Sequence, residues 1–135
     1  MNELLTIEVN LKEIIEVKGG EQTARMILFD GKCDSPAFKG IILPGGVDTQ
    51  IETGETDEDI VTSLSARYIM DGTDSAGEKC RIFIENNGTG KRGDEVIAYP
   101  KITTDSKALS YLEKADLVSK VEGRPGGVII HIFEK

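Results

Sequence analysis

"ILPGGVDTQIETG", Ile42 to Gly54, passes from apolar residues through a Pro-Gly-Gly corner into a run with Asp48, Gln50 and Glu52 at every second position. Successive side chains of a strand point to opposite faces, so these three share one face while Val47, Thr49 and Ile51 share the other. The stretch reads as strand, corner, strand. Its polar face has two readings. It faces solvent while Val47 and Ile51 fill the core, as is usual for alternating antiparallel strands, or it lines a ligand cavity beside Gly45 and Gly46, whose missing side chains leave room.

The same period of two extends in both directions. Leu5, Ile7, Val9 and Leu11 alternate with Thr6, Glu8, Asn10 and Lys12, and Glu13 breaks the face, which a bend or bulge explains. Further runs fall at residues 23–29, 37–43, 47–52, 60–70, 79–86, 96–102, 117–122 and 128–134. That makes about nine short strands, the spacing of an all-β sandwich or barrel. Asp30-Gly31, Gly45-Gly46, Asp71-Gly72, Asn87-Gly88 and Gly126-Gly127 supply the residues that tight hairpins need between them.

One segment departs from the pattern. In "TDSKALSYLEKADL", Asp105 or Ser106 can cap, and Ala108, Leu109, Leu112 and Ala115 fall on one helical stripe. The spacing predicts a helix of about two turns before the last two strands, too short to stand without the sheet. With so little helix to cover strand edges, closure into a single antiparallel barrel of about eight to nine strands is the expected architecture. An interior of that size is either packed by side chains or holds one small ligand.

The chain of 135 residues fits one domain, residues 1–135, with 39% hydrophobic and 30% charged residues. Its formal charge of -8 argues against nucleic acid, whose phosphates call for Lys and Arg. No apolar run approaches the roughly 18 residues of a bilayer span. "MNELLTIEVN" has neither a basic nor a continuous apolar signal region, so the expected location is cytoplasmic. Cys33 and Cys80 lack metal or redox spacing and read as small buried hydrophobes. With His131 the one histidine, no metal site and no cofactor are expected.

Several motif-like strings carry little. "GTGKRGD" lacks the spacing of a phosphate loop and has Arg92 where Ser or Thr should follow Lys91. The sequon at Asn87 and the "RGD" at Arg92 mean little without secretion. "ETGETDED" lacks the glycine and ligand spacing of a calcium loop and reads as a solvated hairpin.

Three further residues pose the question of the opening stretch. Arg67, sharing a face with Ser63 and Ser65, is either a surface cation or a guanidinium in a polar cavity. Asn86 shares parity with Cys80, Ile82 and Ile84, so it is either a buried amide in need of partners or a turn residue. His131, between Ile129 and Phe133, is by default a packed strand histidine, and its titration near neutrality keeps a functional role open.

Taken together, "LPGGVDTQ", "SARY", "NNG" after an apolar strand, "PKITTDSKALSYLEKADLV" and the final "VIIHIFE" resemble a bacterial family of small β-barrels known as domain of unknown function three-two-three-seven. The resemblance runs over nearly the whole chain. It implies a compact barrel with a short helix before the last two strands and no established activity. It also points to Gly45, Gly46, Asp48, Gln50, Arg67, Tyr68, Asn86 and Gly88 as recurring positions. The chain departs from the pattern at Thr49, where an aromatic is frequent, and at Glu85, where a basic residue is frequent.

The expected function is binding of a small organic molecule, carboxylate-bearing if Arg67 faces it, in an apolar cavity at one barrel end. Asp48, Gln50, Arg67, Tyr68, Asn86 and His131 are the candidate ligand-binding residues. Catalysis is neither required nor excluded. Its simplest form is cofactor-free proton transfer, with Asp48 as base and Arg67 or Tyr68 facing the developing oxyanion. The alternative is a non-catalytic barrel that forms homo-oligomers or binds a partner, in which the motif residues serve turns and hydrogen bonds alone.

Overall fold

The computed structural model describes residues 2–135. Nine strands follow in order: β1 (Asn2–Lys18), β2 (Gln22–Asp34), β3 (Phe38–Ile42), β4 (Val47–Thr53), β5 (Val61–Asp74), β6 (Lys79–Lys91), β7 (Ile97–Thr104), β8 (Leu117–Arg124) and β9 (Gly127–Glu134). All pairings are antiparallel, and the sheet closes because β1 pairs with β9 on one side and with β2 on the other. The barrel has eight strand positions. β3 and β4 share one of them, since each lies between β2 and β5 and runs in the same direction.

The opening stretch therefore forms an interrupted strand, with "LPGG" as the interruption. Ladder bonds continue across it, Leu43 donating to the Ile69 carbonyl at 2.8 Å and Phe29 to the Gly46 carbonyl at 3.1 Å. Gly45 takes a φ of 111°, a conformation that L side chains rarely adopt. The predicted bulge of β1 lies between Leu11 and Glu13. Beyond it the β1–β2 ribbon carries Ile14, Ile15 and Val17 exposed.

Three of the five predicted glycine turns are not turns. Gly31, Gly72 and Gly88 lie inside β2, β5 and β6, which are longer than their apolar runs. These glycines permit close approach of neighbouring strands: a Cβ on Gly31 would stand 2.1 Å from the Glu8 carbonyl oxygen. The predicted helix is reduced to a single 3-10 turn, Ser110–Glu113. Leu109 and Leu112, three residues apart, are both 1% exposed, and a three-residue repeat puts them on one side of a 3-10 turn. Ser106 holds the approach to it, accepting from the Leu109 amide at 3.1 Å and donating to Asp74 Oδ2 at 2.6 Å.

This turn packs into one end of the barrel, where Leu5, Phe38, Met70, Ile82 and Ile132 are fully buried. Each such side chain contributes roughly 1.5–3 kcal/mol by leaving water. Where the segment inserts, β7 and β8 keep only two paired positions, Ile97 with Lys120 and Ala98 with Ser119. The interior is thus packed at one end and open at the other.

Candidate functional site

The inward face of β4 is the polar one. Asp48, Gln50 and Glu52 follow the barrel from its interior to its rim, while Thr49 faces outward and is exposed. At the inner end lies a cavity of about 250 Å³ walled by Ile27, Phe29, Leu64, Val121, Val128 and Ile130. Among the described residues that line it, only Asp48, Gln50 and Asn86 are polar. Its apolar walls and few convergent polar groups are the usual make-up of a small-molecule site, and its volume lies just below the usual range.

Asp48 is held from one side. Gln50 Nε2 donates to its Oδ2 at 2.8 Å, and its buried Oδ1 has no partner among the described residues. Burial raises the pKa of the carboxyl above the ordinary aspartate value, against the smaller lowering effect of the Gln50 bond. In the same row of the wall, two strands along, stands Asn86, 3% exposed, whose Nδ2 donates to Ser119 Oγ at 2.9 Å. Its Oδ1 is also buried without a partner among the described residues.

The remaining sequence candidates lie elsewhere. Arg67 points outward, 3.3 Å from Glu85 with most of its side chain exposed, because it has the opposite parity to Ala66 and Tyr68. It is not part of the cavity. Tyr68 faces inward but belongs to the packed core, 2% exposed and edge-on to Phe29 at 5.3 Å. Burial, with a smaller effect from Cys33, pushes its phenol far above the ordinary tyrosine value. His131 lies on the outer surface between two carboxylates, Glu3 at 2.5 Å and Glu122 at 2.9 Å. Gly45 and Gly46 form the β3–β4 corner, where the space beside Gly46 is already filled by Phe29. Gly88 lies against β7, and a Cβ there would stand 2.7 Å from the Ile97 carbonyl oxygen.

Three contributors escape the sequence reading. Ser119, fully buried, supports Asn86, and Ala66 keeps the wall between Asp48 and Asn86 low. The third is the rim. A recess of about 190 Å³ shares Gln50, Leu64 and Val96 with the cavity and is bordered by Arg92. There Glu52 accepts from Arg25 at 3.1 Å and from Arg92 at 3.1 Å, and Arg92 reaches Asp57 at 3.3 Å. The hydrogen bond from Arg25 holds Glu52 below the ordinary glutamate range. Ser119 has one sequence signal, a polar residue at the apolar parity of β8. The rim cations have none, since their partners are distant in sequence.

The family described as "Protein of unknown function (DUF3237)" matches residues 1–135. The chain belongs to this family. A UPF0311 protein of Clostridium acetobutylicum is 40% identical over 70 residues, a match spanning 52% of this chain and 39% of that relative's length. A crystal structure of a protein of unknown function from Clostridium acetobutylicum superposes with a TM-score of 0.81 at 23% identity, covering 98% of this chain and 96% of that one. A crystal structure of an enzyme from Penicillium herquei does so with a TM-score of 0.71 at 12% identity, covering 98% and 92%. At those identities the two structures share the barrel with this chain as a fold alone.

Proposed function

We propose that this DUF3237 barrel binds a small, largely apolar organic molecule in the open end of its interior, with Asp48 and Asn86 as polar anchors. The observation that carries the reading is that Asp48 and Asn86 line an otherwise apolar cavity of about 250 Å³ and each keeps one buried oxygen, Oδ1, without a partner among the described residues. A buried acceptor left unpaired costs roughly 1–3 kcal/mol, so a molecule that pairs it gains affinity there.

A carboxylate ligand fits poorly. Arg67 is outside, and no cation lines the cavity among the described residues. The same facts weigh against proton transfer as the main activity. Asp48 is suited to act as base or acid, but neither Arg67 nor Tyr68 faces it across the cavity to stabilise an oxyanion. One structural neighbour is described as an enzyme, and that belongs to its own site on a shared fold.

A panel of neutral aromatic fragments, followed by ligand-observed NMR and by melting temperature, tests the reading. Hits should raise the melting temperature of the wild type, as any ligand specific for the folded state does. The same hits should be lost in Asp48→Ala if that variant remains folded. A panel without hits, or hits that bind Asp48→Ala and Asn86→Leu unchanged, would reject the cavity as the site.

A further inference from the structure

The polarity of the Asn86 amide is set by a residue that does not line the cavity, Ser119. Ser119 Oγ carries one proton, which it donates to the Ala98 carbonyl oxygen at 3.4 Å. Toward Asn86 the hydroxyl is therefore an acceptor, and it receives Nδ2 at 2.9 Å. With its nitrogen turned to Ser119, Asn86 keeps Oδ1 as its one polar atom without a partner among the described residues, in a residue that lines the cavity. The reverse orientation would compete with Ala98 for the serine proton.

We infer that the Ser119–Asn86 pair makes the cavity selective for neutral ligands bearing a hydrogen-bond donor, such as a phenol, enol or alcohol, over their ethers and carboxylates. The inference rests on the cavity being a binding site. Asn86 Oδ1 accepts the donor of the ligand. Asp48, its Oδ2 already taken by Gln50, offers Oδ1 to a second polar group across the width of Ala66. An ether brings no proton to Asn86. A carboxylate adds a negative charge beside Asp48 in a wall without cations among the described residues. Ser119 acts here as a positioning residue, since Asn86 stands between it and the cavity.

Naphthol, its methyl ether and naphthoate are matched probes of this selectivity, titrated into wild type, Ser119→Ala and Asn86→Leu and followed by NMR. Naphthol should bind wild type about tenfold more tightly than the ether, the worth of one well-made hydrogen bond, and naphthoate should not bind. Asn86→Leu should bind naphthol and ether alike. Ser119→Ala, which frees the amide to turn, should narrow the ratio while leaving the ether's affinity in place, an outcome that a simple packing role for Ser119 does not give.

Equal binding of naphthol and ether by wild type would overturn the donor selectivity and leave the cavity reading standing. So would tightest binding of naphthoate, or a preference for naphthol that survives in Asn86→Leu. Failure of all three probes alongside hits from the neutral fragment panel would likewise overturn the selectivity alone, and failure of probes and panel together would overturn both. Should one variant not fold, the other variant together with the three-probe comparison on wild type decides.

Discussion

Asp48 and Asn86 stand in one row of the barrel wall with only Ala66 between them, Asp48 pairing with Ala66 across β4 and β5, and Ala66 with Asn86 across β5 and β6. Two inter-strand steps separate their backbones by about 10 Å. Their inward side chains thus flank the methyl group of Ala66, and the row is polar, small, polar. The next row toward the rim, Gln50, Leu64 and Gly88, carries one polar side chain and no second acceptor.

Ala66→Leu should therefore fill the gap between the anchors. The added carbons project into open cavity, so stability should stay within about 1 kcal/mol of wild type, less than the usual cost of overpacking a filled core. Ligand-induced stabilisation should disappear. Melting curves with and without a fragment hit check both halves, and retained binding would place the ligand elsewhere.

Asp48→Asn should stabilise the protein at neutral pH. Because burial raises the folded-state pKa of Asp48, the native state binds the proton more tightly than the unfolded chain does, and stability falls as pH rises from the unfolded value, about 4, through the folded one. Asparagine keeps an acceptor for Gln50 and does not ionise. The variant's advantage in melting temperature should thus be present at pH 7 and close as pH drops below about 4. An advantage of the same size at both ends would assign it to something other than ionisation.

Arg67→Ala should change little. The guanidinium makes an exposed ion pair with Glu85, and such pairs are worth about 0–1 kcal/mol. Denaturant unfolding should move by no more than that, and binding of any fragment hit should be unaffected. A loss of binding with the fold intact would return Arg67 to the site.

The contrast between Asn86 and Arg67 shows what period two makes legible. Asn86 shares parity with Ile82 and Ile84, so its burial was readable once those isoleucines were placed in the core. Arg67 shares parity with Ser63, Ser65 and Ile69, a face of mixed composition that names no side. A parity error exchanges every side chain of a strand. Glycine misled for a different reason: Gly31, Gly72 and Gly88 are required by contacts with strands remote in sequence, and a local reading sees only permissive turn residues. The rim pairs Arg25–Glu52 and Arg92–Glu52 likewise join positions 27 and 40 apart.

His131 provides a pH dependence on the outer wall. Its hydrogen bonds to Glu122 on β8 and, next in weight, Glu3 on β1 raise its pKa above the ordinary histidine value, with burial opposing. Burial pushes Glu3 upward, but bonds from His131 and Thr6 outweigh it and hold Glu3 below the ordinary glutamate range. The other groups beside the ring are Thr6 and Lys120, its cross-strand neighbours on β1 and β8, and Phe133, stacked at 6.4 Å. Since the folded pKa exceeds the unfolded one of about 6.5, the imidazolium's contribution is full below that pH and is lost as pH rises through the folded value. His131→Gln should lower the melting temperature most at about pH 5.5, where Glu3 is still ionised, and progressively less toward about pH 9. Because three strands meet at this residue, the loss should appear as early exchange of the β1 and β8 amides opposite it in hydrogen-exchange measurements. A variant whose deficit is the same at both pH values would show that shape, not charge, ties these strands together.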